Sequence, residues 1–235
     1  MRLAAAYPGT PSTEILEYIA KYDAIRSEWC TNEKVALDVA IGGAYAGVRS
    51  LAAMKHVGLN VAADSLFYAS MTGAEAGLVI VSADDPAMHS SQNEQDNRRY
   101  AKFARVPCLE PSDSQEAKDM LGAALVISEG FDTPVLFRIT TRIAHSYSLV
   151  ELGRPREDGD HALLDFRIDR EKYVMVPGNA RRRHPVIEQR VQDLADFAES
   201  FAYNRVEWGD RSLGIVTNGV AYQYAKEAVS YTHLR

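Results

Sequence analysis

Between Val35 and Val48 a single charged residue, Asp38, interrupts a run of apolar and very small side chains that includes Ala36, Ala40, Gly42, Gly43, Ala44, Ala46 and Gly47. Asn32 is a capping-type residue and Glu33 falls in the first turn, so a helix is predicted from about Asn32 to Ala46. A helix that is apolar almost all round must be buried on most of its sides. Its glycines weaken it as a helix, but they let another backbone or a ligand approach closely. This one segment demands a fold with a deep interior.

The rest of the chain supplies that interior by alternation. Leu3 to Tyr7 reads as a short buried strand broken at Pro8-Gly9. Thr10 is placed as a helix N-cap, with Pro11 in the first helical position and Ile15, Leu16, Ile19 and Tyr22 on one face of a helix over 11–22. "RSLAAMKH" predicts a strand ending at His56, followed by a sharp Val57-Gly58 turn and a helix-like stretch to about Thr72. "GLVIVSA" (77–83) is a continuous apolar run, as a central parallel strand requires. A polar segment (82–99), a short helix at 100–104, a strand at 106–110, a helix from Ser112 to Gly130 and the strand "PVLFRIT" complete the series. Strands alternating with helices predict an α/β fold with a largely parallel sheet, whose ligands sit beyond the carboxyl ends of the strands.

Beyond residue 145 the character changes. Residues 146–185, punctuated by Gly153, Pro155, Gly159, Pro177 and Gly178, read as a connector, and a helix is expected over 186–204. "SLGIVTNGVAYQYAKEAV" then reads as a strand, an Asn218-Gly219 turn and a helix. "YTHLR" continues no pattern. The division expected is therefore 1–145, a connector with a helix over 146–209, and the start of a second α/β domain over 210–235.

Charge and composition exclude several classes. A net charge of −6 argues against nucleic acid or anionic lipid as the main partner, and "RRRH" (181–184) reads as a solvated face or linker. The two cysteines, Cys30 and Cys108, build neither a four-cysteine metal site nor a disulfide framework. No apolar run reaches the ~20 residues of a membrane span and no signal core opens the chain, so a cytoplasmic protein is expected.

Three stretches hold the candidate chemistry. "YPGTPSTEI" (7–15) has the composition of a ligand cradle, yet with no Lys or Arg it is no phosphate loop. Glu33 would sit where the helix dipole favours a carboxylate while burial opposes it, a balance that suits a proton-exchanging group. Residue chemistry alone favours the plainer reading, in which Glu33 merely completes an N-terminal turn. His56 ends a strand at the ligand edge, and His89 lies beside Asp84 and Asp85 without a recognisable metal-ligand spacing. Ser90-Ser91 lack the context of a nucleophile elbow, and no GxGxxG or Walker sequence occurs.

Taken together, "AAAYPGTPSTEI", "EWCTNEKVALDVAIGGAYAGVRS", "MKHVGLNVAAD" and "DDPAMHSSQNEQDNRRYAKFARVPCLEPSDSQEAKDM" resemble the pyrimidine-binding domain of thiamine-diphosphate-dependent 2-oxoacid:ferredoxin oxidoreductases. More narrowly they resemble the large subunits of the indolepyruvate-oxidising branch. The resemblance runs over residues 3–145, continues through "KYVMVPGNARRRHP" and resumes from 211, where it implies the opening of a transketolase C-terminal-like domain. It implies that Pro8 and Gly9 shape the approach to thiamine diphosphate and that Thr10 hydrogen-bonds near the reacting 2-oxoacid. It implies that Glu33 hydrogen-bonds the aminopyrimidine and so activates the thiazolium carbon. His56 and Asn60 would occupy a loop near the thiazolium side, with Asp85, His89 and Gln95 lining the site. Pyruvate-specific relatives carry an arginine where "ADDPAMH" stands here, which fits a bulkier aryl pyruvate.

By the same resemblance the reaction would be oxidative decarboxylation of aryl pyruvates such as indolepyruvate to aryl-acetyl-CoA. Coenzyme A would take the acyl group, and electrons would pass through 4Fe–4S clusters to ferredoxin. Mg2+ and the clusters would lie outside this stretch, and a small (beta) subunit would complete a hetero-oligomer. The chain begins at the "YPGT" strand and stops before the diphosphate-binding domain, so it is expected to be a fragment, inactive and poorly soluble alone. A related enzyme of other 2-oxoacid preference, or a non-catalytic docking subunit on the same scaffold, are the competing readings.

Overall fold

The structure, a computed structural model, describes residues 1–153, 166, 168–209 and 211–231. Pro155 and Gly159 of the connector, and 232–235 of the terminal "YTHLR", lie outside the described residues. Six strands, β1 (Leu3–Ala6), β2 (Arg26–Trp29), β3 (Ser50–Lys55), β4 (Leu78–Asp84), β5 (Cys108–Leu109) and β6 (Val135–Thr140), form one sheet in the order β2-β1-β3-β4-β6-β5. Every pairing is parallel. The sheet grows outward in one direction from β1 to β2 and in the other from β3, so the topological switch lies between β1 and β3. In sheets of this kind ligands bind beyond the carboxyl edge at that point.

Two hydrophobic cores, one on each face, follow from the period of two along the strands. Ala52, Met54, Leu78, Ile80 and Leu136 face α2 (Glu33–Tyr45), α3 (His56–Val61), α4 (Ala63–Thr72) and α5 (Arg98–Ala104). Leu51, Ala53, Val79, Val81, Phe137 and Ile139 face α1 (Thr13–Ile19) and α6 (Ser114–Gly130). Helix α2 is buried as its composition demands, with Ala36, Leu37, Ala40 and Ala44 at 0 % exposure. Asn32 caps it, Oδ1 accepting from the Val35 N–H at 2.9 Å. At the carboxyl edge the α2–α5 face turns polar: Ser82, Asp84 and Arg138 continue the rows of Ile80 and Leu136, and all three are buried.

Several boundaries differ from the sequence expectation. Helix α1 starts at Thr13 rather than 11, and its N-cap residue is Ser12, not Thr10. The Ser12 N–H and hydroxyl both donate to the Gly9 carbonyl at 2.7 Å, and the Gly9 N–H donates to Thr13 Oγ1 at 2.9 Å. These bonds close a turn over 9–13 that leaves Thr10 exposed outside the helix. β3 stops at Lys55 and His56 opens α3, so Val57-Gly58 is helix, not a sharp turn. α7 (Thr141–Ala144) closes the first domain, and the connector region contains α8 (Arg170–Tyr173) and α9 (Pro177–Ser200). α9 begins nine residues before the expected 186 because Pro177 opens it, where a missing N–H costs nothing.

The "RRRH" run is not simply solvated. Arg183 donates to the Met71 carbonyl at 2.9 Å and pairs with Asp132 at 3.1 Å. Arg190, about two turns further along α9, is 4 % exposed and donates to the Ser70 carbonyl at 2.5 Å. The arginines thus fasten α9 to the end of α4, while Leu194, Phe197 and Phe201 reach the α6-side core. Past residue 211 the described residues contain α10 (Val220–Tyr231) but no strand over 213–218.

Candidate active site

Four loop or helix starts meet the carboxyl edge beside the β1/β3 switch. The 7–12 turn leaves β1, and its Gly9 lies under the Lys55 stem: a Cβ there would stand 2.9 Å from Lys55 Cδ. Any larger residue at position 9 would therefore push the Lys55 side chain aside. Lys55 is half-buried and its ammonium makes no ion pair among the described residues. Pro8 is exposed on the same turn.

Glu33 opens α2 and is 8 % exposed. Its side chain rests on α3 at Gly58, where a Cβ would meet Glu33 Cγ at 2.5 Å and Oε1 at 2.6 Å. The carboxylate makes no hydrogen bond or ion pair among the described residues. A buried carboxylate is costly unless something donates to it. The positive end of the α2 dipole offsets part of that cost. Lys34 does not serve, because its ammonium turns away to Asp64 at 2.8 Å and the Ser65 hydroxyl at 3.1 Å.

His56 is fully buried at the start of α3. Its Nε2 lies 2.9 Å from the Asn93 carbonyl. A carbonyl only accepts, so Nε2 carries a proton in this contact. Nδ1 is buried without a partner among the described residues. Asn60, by contrast, lies exposed on α3. His56 and Asn60 therefore occupy a helix rather than the loop expected for them, with Gly58 of that helix packed against Glu33.

The polar segment after β4 is anchored, not simply solvated. Asp85 is 1 % exposed and accepts from the Ser90 N–H at 2.8 Å, the His89 N–H at 3.2 Å and the Thr141 hydroxyl at 2.7 Å. Burial alone would raise its pKa. The bonds from the Ser90 N–H, the Thr141 hydroxyl and the His89 N–H outweigh burial and hold the carboxyl well below the usual range. Asp85 thus ties the loop down with its own carboxylate. The His89 side chain is exposed on that loop, and Gln95 is half-buried, donating to Asn93 Oδ1 at 3.1 Å.

Beneath the loop lie residues that sequence reasoning missed. Asn97 is fully buried and donates to the His56 carbonyl at 3.1 Å and to Ser82 Oγ at 2.7 Å. Asp84 accepts from the Asn97 N–H at 3.0 Å and from Arg138 Nε at 2.6 Å. Arg138 also pairs with Glu110. Strand pairing aligns Ser82 with Arg138, but only the fold brings Asn97 and Glu110 to them. Cys108 flanks this group on β5, and burial, aided by Glu110, pushes its thiol up to about 12.

The arrangement offers a buried, unpartnered carboxylate, a buried imidazole, an unpaired lysine and a glycine-bearing turn at one switch point. Glu33 is buried at the start of α2, and His56 Nδ1 is a buried atom with no hydrogen-bond partner among the described residues. Among the described residues no group of three or more His, Cys, Asp or Glu is placed to hold a metal ion.

Comparison with known proteins shows the family to which the chain belongs. Residues 1–208 match the family described as pyruvate flavodoxin/ferredoxin oxidoreductase, thiamine diphosphate-binding. The chain is 47% identical over 233 residues to the indolepyruvate oxidoreductase subunit IorA of Methanothermobacter thermautotrophicus, covering 97% of this chain and 37% of that protein. To the subunit of the same name from Archaeoglobus fulgidus it is 43% identical over 239 residues, 98% of this chain and 38% of that protein. It spans well under half the length of the curated relatives it matches. A solved 2-oxoglutarate:ferredoxin oxidoreductase from Magnetococcus marinus superposes with a TM-score of 0.70 at 16% identity, over 100% of this chain and 48% of that one, which speaks for the fold. By the extent of the family match, this chain belongs to the thiamine-diphosphate-binding family of the pyruvate flavodoxin/ferredoxin oxidoreductases.

Proposed function

We propose that this chain forms the pyrimidine-side half of the active site in a 2-oxoacid:ferredoxin oxidoreductase whose substrates are aryl pyruvates of the indolepyruvate type. One observation carries the reading: Glu33 is a buried residue whose carboxylate has no partner among the described residues, pressed against a helical glycine at the dipole-positive start of α2. Thiamine diphosphate, when bound, supplies a nucleophilic carbon for the 2-oxo group and a sink for the electron pair that loss of carbon dioxide leaves.

This chain's own residues prepare and orient. The Glu33 carboxyl exchanges a proton with the aminopyrimidine ring, made efficient by a fixed position rather than by strong acidity. In this reading His56 Nδ1, buried and without a partner among the described residues, is a further hydrogen-bonding group for the ring. Pro8 and Gly9 keep the turn after β1 thin, and Thr10 offers its hydroxyl to the acid. Asn60, His89 and Gln95 form the outer wall, and Asp85 holds that wall in place. Lys55 supplies the cation that the substrate carboxylate needs, since Arg138 is already committed to Asp84 and Glu110. In this reading Mg2+, the iron–sulfur clusters, the coenzyme A site and the contact with ferredoxin belong to other parts of the protein and to a small partner subunit.

The preference for aryl pyruvates rests on the names of the relatives that share 43–47% identity with the chain. The test is thiamine-dependent reduction of a viologen dye by the full-length protein with its partner subunit, without oxygen. Turnover of indolepyruvate and phenylpyruvate well above that of pyruvate and 2-oxoglutarate is expected. A preference for 2-oxoglutarate or pyruvate would replace the substrate assignment, and no turnover of any 2-oxoacid would leave the docking-subunit reading.

A further inference from the structure

One group of buried charges has no part in the chemistry just described, and it runs from the candidate site to the far side of the chain. It starts at the Asn218-Gly219 turn, which opens α10. Gly219 has a φ of 51°, and a Cβ there would stand 2.5 Å from Glu110 Oε1. Both the backbone and the close approach require glycine. Asn218 Nδ2 donates to Glu110 Oε2 at 3.2 Å, and Arg98 Nη1 donates to Asn218 Oδ1 at 3.4 Å. The turn is therefore seated on Glu110, and Gln223 extends the seat by donating to Ser112 Oγ and Asp113 Oδ2, each at 3.1 Å.

Glu110 passes the contact inward. Its other oxygen holds Arg138, whose side chain is 5 % exposed. Arg138 Nε shares Asp84 Oδ2 with the Asn97 N–H, at 2.6 and 3.0 Å. Asp84 Oδ1 accepts from the Ser82 hydroxyl at 2.9 Å, and that hydroxyl accepts from Asn97 Nδ2, which also holds the His56 carbonyl. Every member is shared between two partners in a low-dielectric setting, so a change at one end alters what the next can hold. Asn97 Oδ1 and His56 Nδ1 are left unpaired, so the inner end is not over-determined.

We propose that Glu110, Arg138, Asp84 and Asn97 form a positioning relay that couples the seating of the Asn218-Gly219 turn to the placement of His56 at the candidate site. The outer end can open, because Asn218 is exposed and its bonds to Glu110 and Arg98 are long. The inner end is buried and governs the start of α3, against which Glu33 rests. How the segment after residue 209 sits on the first domain thus sets where the imidazole stands. The significance of that placement for turnover rests on the function proposed above.

The test is hydrogen–deuterium exchange on the full-length protein, comparing wild type with Asn218→Ala, Glu110→Gln and Asn97→Asp. Asn218→Ala alters only an exposed turn, so loss of folding cannot mask the result. All three variants are expected to speed exchange of the α3 amides by about fivefold or more, although 110 and 218 lie far from α3 in sequence. Changes confined to 108–110, 135–140 and 218–225 would overturn the relay, as would an effect of Asn97→Asp not shared by Asn218→Ala. Turnover is measured on the same samples. Faster exchange with unchanged kcat would uphold the relay and instead remove His56 from the proposed chemistry.

Discussion

The Glu33 side chain lies directly against Gly58, so closely that a single added carbon on Gly58 would stand 2.5 Å from Glu33 Cγ. Helix α3 contributes a bare backbone where a methyl group would displace the carboxylate. A glycine inside a helix ordinarily costs about 0.5–1 kcal/mol relative to alanine. At Gly58 that cost is accepted in exchange for the position of one acid.

Gly58→Ala should therefore separate stability from function. The expected outcome is a fold retained to within about 1 kcal/mol, the helix gain offsetting local displacement, with thiamine-dependent activity lowered at least about tenfold. Thermal unfolding and steady-state turnover on one preparation check this. Full activity would show that Glu33 need not stand where it does.

Lys55→Met keeps the aliphatic stem that covers Gly9 and removes only the charge. If the ammonium neutralises the substrate carboxylate, the KM for every 2-oxoacid should rise by about 10- to 100-fold, as expected for loss of a charged hydrogen bond worth ~1.5–3 kcal/mol. A KM within twofold of wild type would remove Lys55 from the substrate site.

Asp85 makes stability depend on acid pH. Its folded pKa is depressed, so its contribution is fully present above the unfolded value of about 3.9 and fades as pH falls below it toward the folded value. Asp85→Ala should cost about 1–3 kcal/mol at neutral pH by leaving the Ser90 and His89 N–H groups unpaired. The gap between variant and wild type should narrow below about pH 4. Denaturant midpoints at pH 7 and pH 3 provide the check, and a gap that stays constant would contradict the assignment.

Arg138→Met leaves Asp84 buried with a charge and no cation, and about 3–5 kcal/mol should be lost. Adding Asp84→Asn to that variant should restore much of it. Urea unfolding of the single and double variants decides, and a single variant as stable as wild type would show that the buried pair carries no weight.

The layers were legible in the sequence because burial leaves composition behind. The apolar run of β4 and the small residues of α2 could only be interior, and both stand where they were expected. The place of Glu33 in the first turn of α2 was legible through its position after a capping asparagine. The starts of α1, α3 and α9 were misread for a common reason: each depends on a contact from elsewhere. The Gly9 carbonyl collects both Ser12 donors and frees Thr10, Gly58 of α3 packs against Glu33, and the arginines of α9 reach carbonyls at the end of α4. Asn97, Arg138 and Glu110 gave no signal at all, since an asparagine in a polar segment and an arginine in a strand look solvent-facing until the sheet edge closes over them.

The most direct test of the central claim is the exchange rate of the thiazolium C2 proton of thiamine diphosphate bound to the full-length protein, measured by acid quench and NMR for wild type and Glu33→Gln. If Glu33 activates the cofactor through its aminopyrimidine ring, exchange should slow by about 100- to 10,000-fold in the variant while the cofactor stays bound. An unchanged rate with cofactor bound would mean that this buried carboxylate has some other purpose.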